Sequence, residues 1–322
     1  MNIYLAGDSI VRNYTDEEFI AGWGQYLPEY VDSSVSIFNY AKGGRSSRLF
    51  INEGLFDTIA SQIQPGDYLF IEFCHNDDAS KEYKTMFNRL VELGEPDNDG
   101  RYPVIPGEKT DKDYIPPEYV EALMADDSIS DKDAVLDSVK AITKAYPHDW
   151  YYPYSKDASM GSYKWFIKQY IDIARENGAT PILVTAPART MFTEDGKIRD
   201  GAGLHGGNNF SYIRAMKQIG EETHTIVLDL FSYSVKMFEE IGNDSIHRYT
   251  SIKHGNNKGV WPYDFTAELA KPDTVSENTH FNKYGAWLLT KGLVELINEC
   301  DDKEIDELKS KIIDKGFKVA AP

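Results

Sequence analysis

The sequence predicts a doubly wound α/β fold, a three-layer α/β/α sandwich on a five-stranded parallel sheet. Three features point to it: short, nearly continuous apolar runs, segments of helical spacing, and the alternation of the two along the chain. Uninterrupted apolar runs suit strands covered on both faces, and parallel strands need crossover connections of the kind helices supply.

The strand runs are residues 2–6, 35–40, 68–73, 181–185 and 225–230. Among the helices, Tyr163, Phe166 or Ile167, Tyr170 or Ile171, and Ala174 share one face, and Gly178 is placed to end that helix. Ile213, Met216 and Ile219 mark a second helix, Val235, Phe238 and Ile241 a third, and Leu289, Leu293 and Leu296 a fourth. Ile305, Leu308 and Ile312 predict an amphipathic tail helix over about 301–315 with a strongly charged outer side. One interruption breaks this single domain. From about 81 to 160 the chain is polar and rich in Asp, Pro and Tyr, far longer than the roughly 4–6 residues of an ordinary connection. Its stretch HDWYYPYSKDASMGSY, residues 148–163, is too aromatic for a disordered linker, so an ordered insertion or lid is expected.

The 52 acidic and 34 basic residues leave a formal charge of −18, with no basic stripe to offset it. Such a field repels phosphate backbones and anionic membrane surfaces, which argues against nucleic acid and membranes as partners. Only Cys74 and Cys300 are present, too few for a disulfide framework or a zinc-type pairing. No run approaches the roughly 18–20 apolar residues of a membrane span. A core strand directly after Met1 leaves no room for a leader segment, so a cytoplasmic protein is expected; the alternative is an exported protein whose signal has been removed.

In open parallel sheets ligands bind at the carboxyl ends of the strands. Gly7-Asp8-Ser9 falls just past the first strand, where a hydroxyl and a backbone N–H can face a cleft, although the triplet alone is also ordinary turn chemistry. NYAKGGRSSRLF follows the second strand, and its Gly43-Gly44 pair lets backbone approach a ligand closely. IEFCHNDD ends the third strand with His75, Asn76 and Asp77, and VSENTHFNKYGAWLL brings Glu277 and His280 just before the last long helix. A hydroxyl, an imidazole, a carboxylate, a glycine-flanked N–H and an amide are the groups that serine acyl transfer requires.

With these stretches in place, the chain resembles the SGNH (GDSL-type) hydrolase superfamily, whose four letters match Ser9 in GDS, Gly44 in AKGGRSSR, Asn76 in CHND and His280 in ENTHF. It is similar in particular to rhamnogalacturonan acetylesterases of carbohydrate esterase family twelve, through GWGQYL at 22–27, GRSSR at 44–48 and NTHFNKYGA at 278–286. The resemblance spans residue 1 to about 300, the insertion excepted. It implies a flavodoxin-like sheet and removal of O-acetyl groups from plant-cell-wall saccharides, with no metal or organic cofactor. Ser9 is then the nucleophile, His280 the base and Glu277 the acid that orients it, and the N–H groups of Ser9 and Gly44 with the Asn76 amide form the oxyanion hole. Two positions depart from the pattern: Cys74 stands where the family usually has glycine, and Glu277 where it usually has aspartate.

Other residues carry two readings each. Arg45 either binds an acidic sugar or pairs with a carboxylate, and His75 either touches substrate or orients its loop. His205, Trp261 and Tyr263 are candidates for the substrate rim or for loop packing, and Trp23 for support beneath the cleft. Cys74 and His75, adjacent on a strand end, point apart and cannot form a nucleophile–base pair. His75, Asp77 and Asp78 match no established metal-ligand spacing. The expected partner is an acetylated oligo- or polysaccharide. The competing functions are a general esterase or lysophospholipase on the same scaffold and a catalytically silent sugar-binding protein.

Overall fold

The computed structural model describes residues 1–79, 88–200, 210–253 and 275–321, and in it the five apolar runs form one parallel sheet. In chain order the strands are β1 (Asn2–Gly7), β2 (Ser36–Asn39), β3 (Tyr68–Glu72), β4 (Thr110–Asp111), β5 (Trp150–Tyr151), β6 (Thr180–Val184), β7 (Ile226–Leu228), β8 (Thr250–Lys253) and β9 (Val275–Phe281). The sheet order is β2-β1-β3-β6-β7. Ile3 pairs with Ile37 on one side and Tyr68 on the other, and Tyr68 pairs onward with Thr180.

The central strand β3 is buried at all five positions, as an apolar run covered on both faces should be. β2 departs from that expectation. It is the sheet edge, Ser36 is exposed, and Phe38 is 39% exposed. Its aromatic content serves lateral packing instead, since Phe38 and Tyr40 both stack on Tyr4.

Right-handed crossovers fix where the helices go. The steps β2 to β3, β3 to β6 and β6 to β7 run the same way across the sheet. Their helices α1 (Ser47–Asn52), α2 (Leu55–Ala60), α5 (Tyr163–Glu176) and α6 (Ser211–Glu222) therefore share one face and touch one another. Opposite them α7 (Leu230–Ile241) packs on α8 (Lys283–Glu299), which also covers the short 3-10 turn Trp23–Gln25. The predicted stripes face inward: Phe166, Ile167, Tyr170, Ile171 and Ala174 are buried, as are Ile213, Met216 and Ile219. Gly178, at φ +71°, follows the end of α5. Among the described residues no helix is long and apolar enough to cross a membrane.

The segment between β3 and β6 carries the antiparallel β4–β5 pair and, between its strands, two helices, α3 (Pro117–Met124) and α4 (Lys132–Lys144). Tyr119, Leu123 and Val139 form a small core of its own. It is fastened to the sheet domain by α1: buried Arg48 donates from Nε and Nη2 to the Leu90 carbonyl and from Nη1 to that of Tyr152. Asn52 exchanges two further bonds with the Tyr152 backbone.

The tail is a correction to the expected helix over 301–315. A 3-10 turn, Lys303–Ile305, leads into a helix of only four residues, α9 (Asp306–Lys309). Ile305 and Leu308 are buried as their spacing demands. The chain then leaves the helix to bond extended backbone at 30–32, with Ile313 N–H donating to the Tyr30 carbonyl and Asp32 N–H to that of Lys311.

Candidate active site

Three parallel strands deliver their C-terminal loops to one place. Asp8, with no exposed surface, organises the first. One carboxylate oxygen accepts from the Ile10 N–H at 2.8 Å, closing a tight Asx turn that sets Ser9 at its apex. The other accepts from the Asn76 amide at 2.9 Å, tying the end of β3 to the end of β1. Tyr14 Oη donates to the Ser9 carbonyl at 3.0 Å, and burial pushes its phenol far above the usual range, so it remains a donor. The β2 loop joins through Lys42 N–H to the Gly7 carbonyl, and Asn76 also donates to the Arg45 carbonyl at 3.2 Å. Gly44 sits at φ +80°, where a side chain would be strained.

The fourth contribution comes from β9, which pairs antiparallel with β8. Thr250 lies opposite Phe281 but Ile252 lies opposite Ser276, so residues 277–280 bulge out against the single residue Ser251. Bulges of this kind re-aim side chains. Here the bulge turns Glu277 and His280 the same way despite their odd spacing. Ala21 bridges to Phe281, and Trp23, fully buried, donates its backbone N–H to the Ile10 carbonyl while its own carbonyl accepts from the Thr290 hydroxyl. The GWG stretch thus clamps the serine loop to β9 and α8 from beneath.

The result is a Ser9 Oγ to His280 Nε2 hydrogen bond of 2.8 Å between residues 271 apart in sequence. His280 Nδ1 stands 3.3 Å from Glu277 Oε2. With Nδ1 protonated toward that carboxylate, Nε2 is left to accept from the Ser9 hydroxyl. Glu277, longer by one methylene than aspartate, therefore comes within ion-pair distance of the ring, although that oxygen accepts no hydrogen bond.

The neighbours sort differently from their sequence readings. Arg45 is held by Glu53 through a two-point ion pair at 2.6 and 2.9 Å. His75 is only 4% exposed, offering a ligand almost no surface, and Cys74 is buried. Asp77 accepts from the backbone N–H and hydroxyl of Ser47 at the start of α1. His205, Trp261 and Tyr263 lie outside the described residues.

Four side chains of the site escaped the sequence reading. Arg12 lies over the Tyr14 ring, 4.7 Å from its centroid. Arg89 lies over Gly44. Burial depresses the half-buried Arg189 guanidinium, and Asp78, Glu277 and Asp8 are among the negative groups that oppose that shift. Glu72, fully buried at the end of β3, is pushed well above the carboxylate range by burial and by Asp8 and Asp77. Only Glu72 left a trace in the sequence, as a lone acid in an apolar run.

No protein-family model matches the chain. Two curated relatives match almost end to end, both from Bacillus subtilis. "Probable rhamnogalacturonan acetylesterase YesY" is 29% identical, over 92% of this chain and 93% of its own. "Rhamnogalacturonan acetylesterase RhgT" is 26% identical, over 97% and 95%. The chain thus resembles rhamnogalacturonan acetylesterases over nearly its whole length. A solved structure, the YXIM protein of Bacillus subtilis, shares this fold at a TM-score of 0.54 and 22% identity, covering 92% of this chain. The chain spans 56% of that structure's length. The reaction class is carboxylic ester hydrolysis; the fold brings a hydroxyl and an imidazole into contact.

Proposed function

We propose that this hydrolase is a carbohydrate acetylesterase acting on pectic, rhamnogalacturonan-type saccharides through a Ser-His-acid site and an acetyl-enzyme intermediate. The observation that carries the reading is the 2.8 Å contact of Ser9 Oγ with His280 Nε2; the names of the full-length relatives support the substrate class.

Ser9 Oγ attacks the acetyl carbonyl carbon while His280 Nε2 takes its proton. Glu277 holds the ring tautomer and stabilises the imidazolium. The tetrahedral oxyanion takes hydrogen bonds from the N–H groups of Ser9 and Gly44 and from Asn76, which exchanges its long 3.2 Å bond to the Arg45 carbonyl for the charged acceptor. Collapse breaks the ester C–O bond, and the sugar oxygen leaves with the proton from His280. Water then repeats the sequence on the acetyl-enzyme, giving acetate and free Ser9.

Acetate release from acetylated rhamnogalacturonan, xylan and mannan tests the reading, with rhamnogalacturonan expected to be the best substrate. Ser9→Ala should lose about 10⁴-fold or more, and Asn76→Ala about 10²–10³-fold. Glu277→Gln should lose less than Ser9→Ala. Undiminished release by Ser9→Ala overturns the mechanism, and a preference for long acyl chains on nitrophenyl esters would favour the general esterase.

A further inference from the structure

The guanidinium that the sequence offers for an acidic sugar is already taken, because Arg45 is bound by Glu53 and by the Gly43 carbonyl. Two others stand around the same glycine pair. A Cβ placed on Gly43 would lie 3.6 Å from Arg12 Nη1, 3.7 Å from Ser9 Cβ and 3.9 Å from Tyr14 Oη. One placed on Gly44 would lie 3.3–3.5 Å from all three terminal atoms of the Arg89 guanidinium. Both arginines are half-buried. Among the described residues, neither guanidinium forms an ion pair or donates a hydrogen bond. In a chain with 52 acidic residues against 34 basic ones, two cations left without a carboxylate at the reactive serine run against composition.

Both are also held in place. Arg12 donates its backbone N–H to the Asp8 carbonyl and lies over Tyr14, which is itself fixed by Gln25 and Ser9. Arg89 precedes Leu90, whose carbonyl is gripped by buried Arg48, and Val91, whose N–H donates to the Asp77 carbonyl. Burial and the nearby Arg45 charge lower the Arg89 pKa. Guanidinium forks match planar carboxylates, and pre-positioned ones lose little freedom on binding.

We infer that Arg12 and Arg89 form a carboxylate clamp beside Ser9, which receives the acid group of a uronic acid residue in the substrate and selects acetylated acidic sugars over neutral ones. The inference rests on the ester-hydrolase reading of Ser9 and His280 and adds the specificity element to it.

The test compares O-acetylated galacturonic acid with O-acetylated galactose, which differ only in the carboxylate. The full-length parent should prefer the uronate by at least about tenfold in kcat/KM. Arg89→Gln and Arg12→Gln should each cut that ratio by about tenfold to a hundredfold, chiefly through KM. Lys140→Gln makes the same charge change on the exposed side of α4 and should leave the ratio as in the parent. The clamp is overturned if the parent hydrolyses both esters equally, if the arginine variants slow both esters alike, or if Lys140→Gln matches their effect. Should the parent release no acetate from any ester, the hydrolase reading falls separately. The clamp is then decided by calorimetric titration with free galacturonate: binding weakened at least tenfold by Arg89→Gln supports it, and equal or absent binding overturns it.

Discussion

Glu72 ends the central strand without exposed surface, beside Asp8 and Asp77, and holds its proton to well above the ordinary carboxylate range. The unfolded chain releases that proton near the ordinary glutamate value of 4.5. Between these two points the folded state binds more protons, so the stability Glu72 contributes is fully present below the unfolded value and is lost as pH rises through the folded one. Glutamine does not titrate. Glu72→Gln should therefore gain on the parent as pH rises from 5 to 8, by up to about 1.4 kcal/mol per unit, read from urea midpoints at each pH. A constant difference across that range would show that Glu72 is ionised when folded. At this scale Ser9, Gly44, Asn76 and His280 were legible because each stands in a short motif at a strand end. Arg12 and Arg89 were not, because what distinguishes them is a missing partner, and sequence shows side chains without their neighbours. For Arg45 the sequence left two readings open, and Glu53, eight residues on, supplies the carboxylate of the second.

At the scale of elements, α1 has a second task besides covering the sheet. Its Arg48 is 2% exposed and bonds two carbonyls of the segment between β3 and β6. Arg48→Met keeps most of the bulk but strands buried acceptors, so a loss of about 3 kcal/mol in urea-determined stability is expected; an unchanged midpoint would mean that the segment docks without it. Because Leu90 is one of the two anchors, the same change should also blunt any substrate preference that depends on Arg89. The five parallel strands and four long helices could be read in advance because apolar runs and 3.6-residue stripes report burial directly. The bulged β9 could not. Its geometry is set by register against β8, a long-range property, and ENTH carries no alternation to announce a strand.

Among the described residues the apolar clusters of the whole molecule are very unequal in size. The large one runs through the sheet and both helical layers, whereas Tyr119, Leu123 and Val139, with half-buried Ile115, Ile129, Val135 and Leu136 around them, hold α3 against α4. Opening free energy follows the apolar area a unit buries, so amides in α3 and α4 should exchange with deuterium well before those of β1 and β3, measured by mass spectrometry of peptides. Equal protection would show that the segment unfolds only with the entire protein. Its aromatic density is legible in the sequence; that it carries two helices with a private core is not, since its apolar residues are sparse and Asp-rich stretches separate them.

The bond between Ser9 and His280 closes over 271 positions. During translation at roughly 5–20 residues per second the serine loop waits many seconds for its partner, which emerges only with the last strand and helix. Every shorter nascent product, and every copy clipped ahead of β9, carries the hydroxyl without its imidazole. On the mechanism proposed above such fragments lack the general base, and hydrolysis becomes a property of chains that include β9.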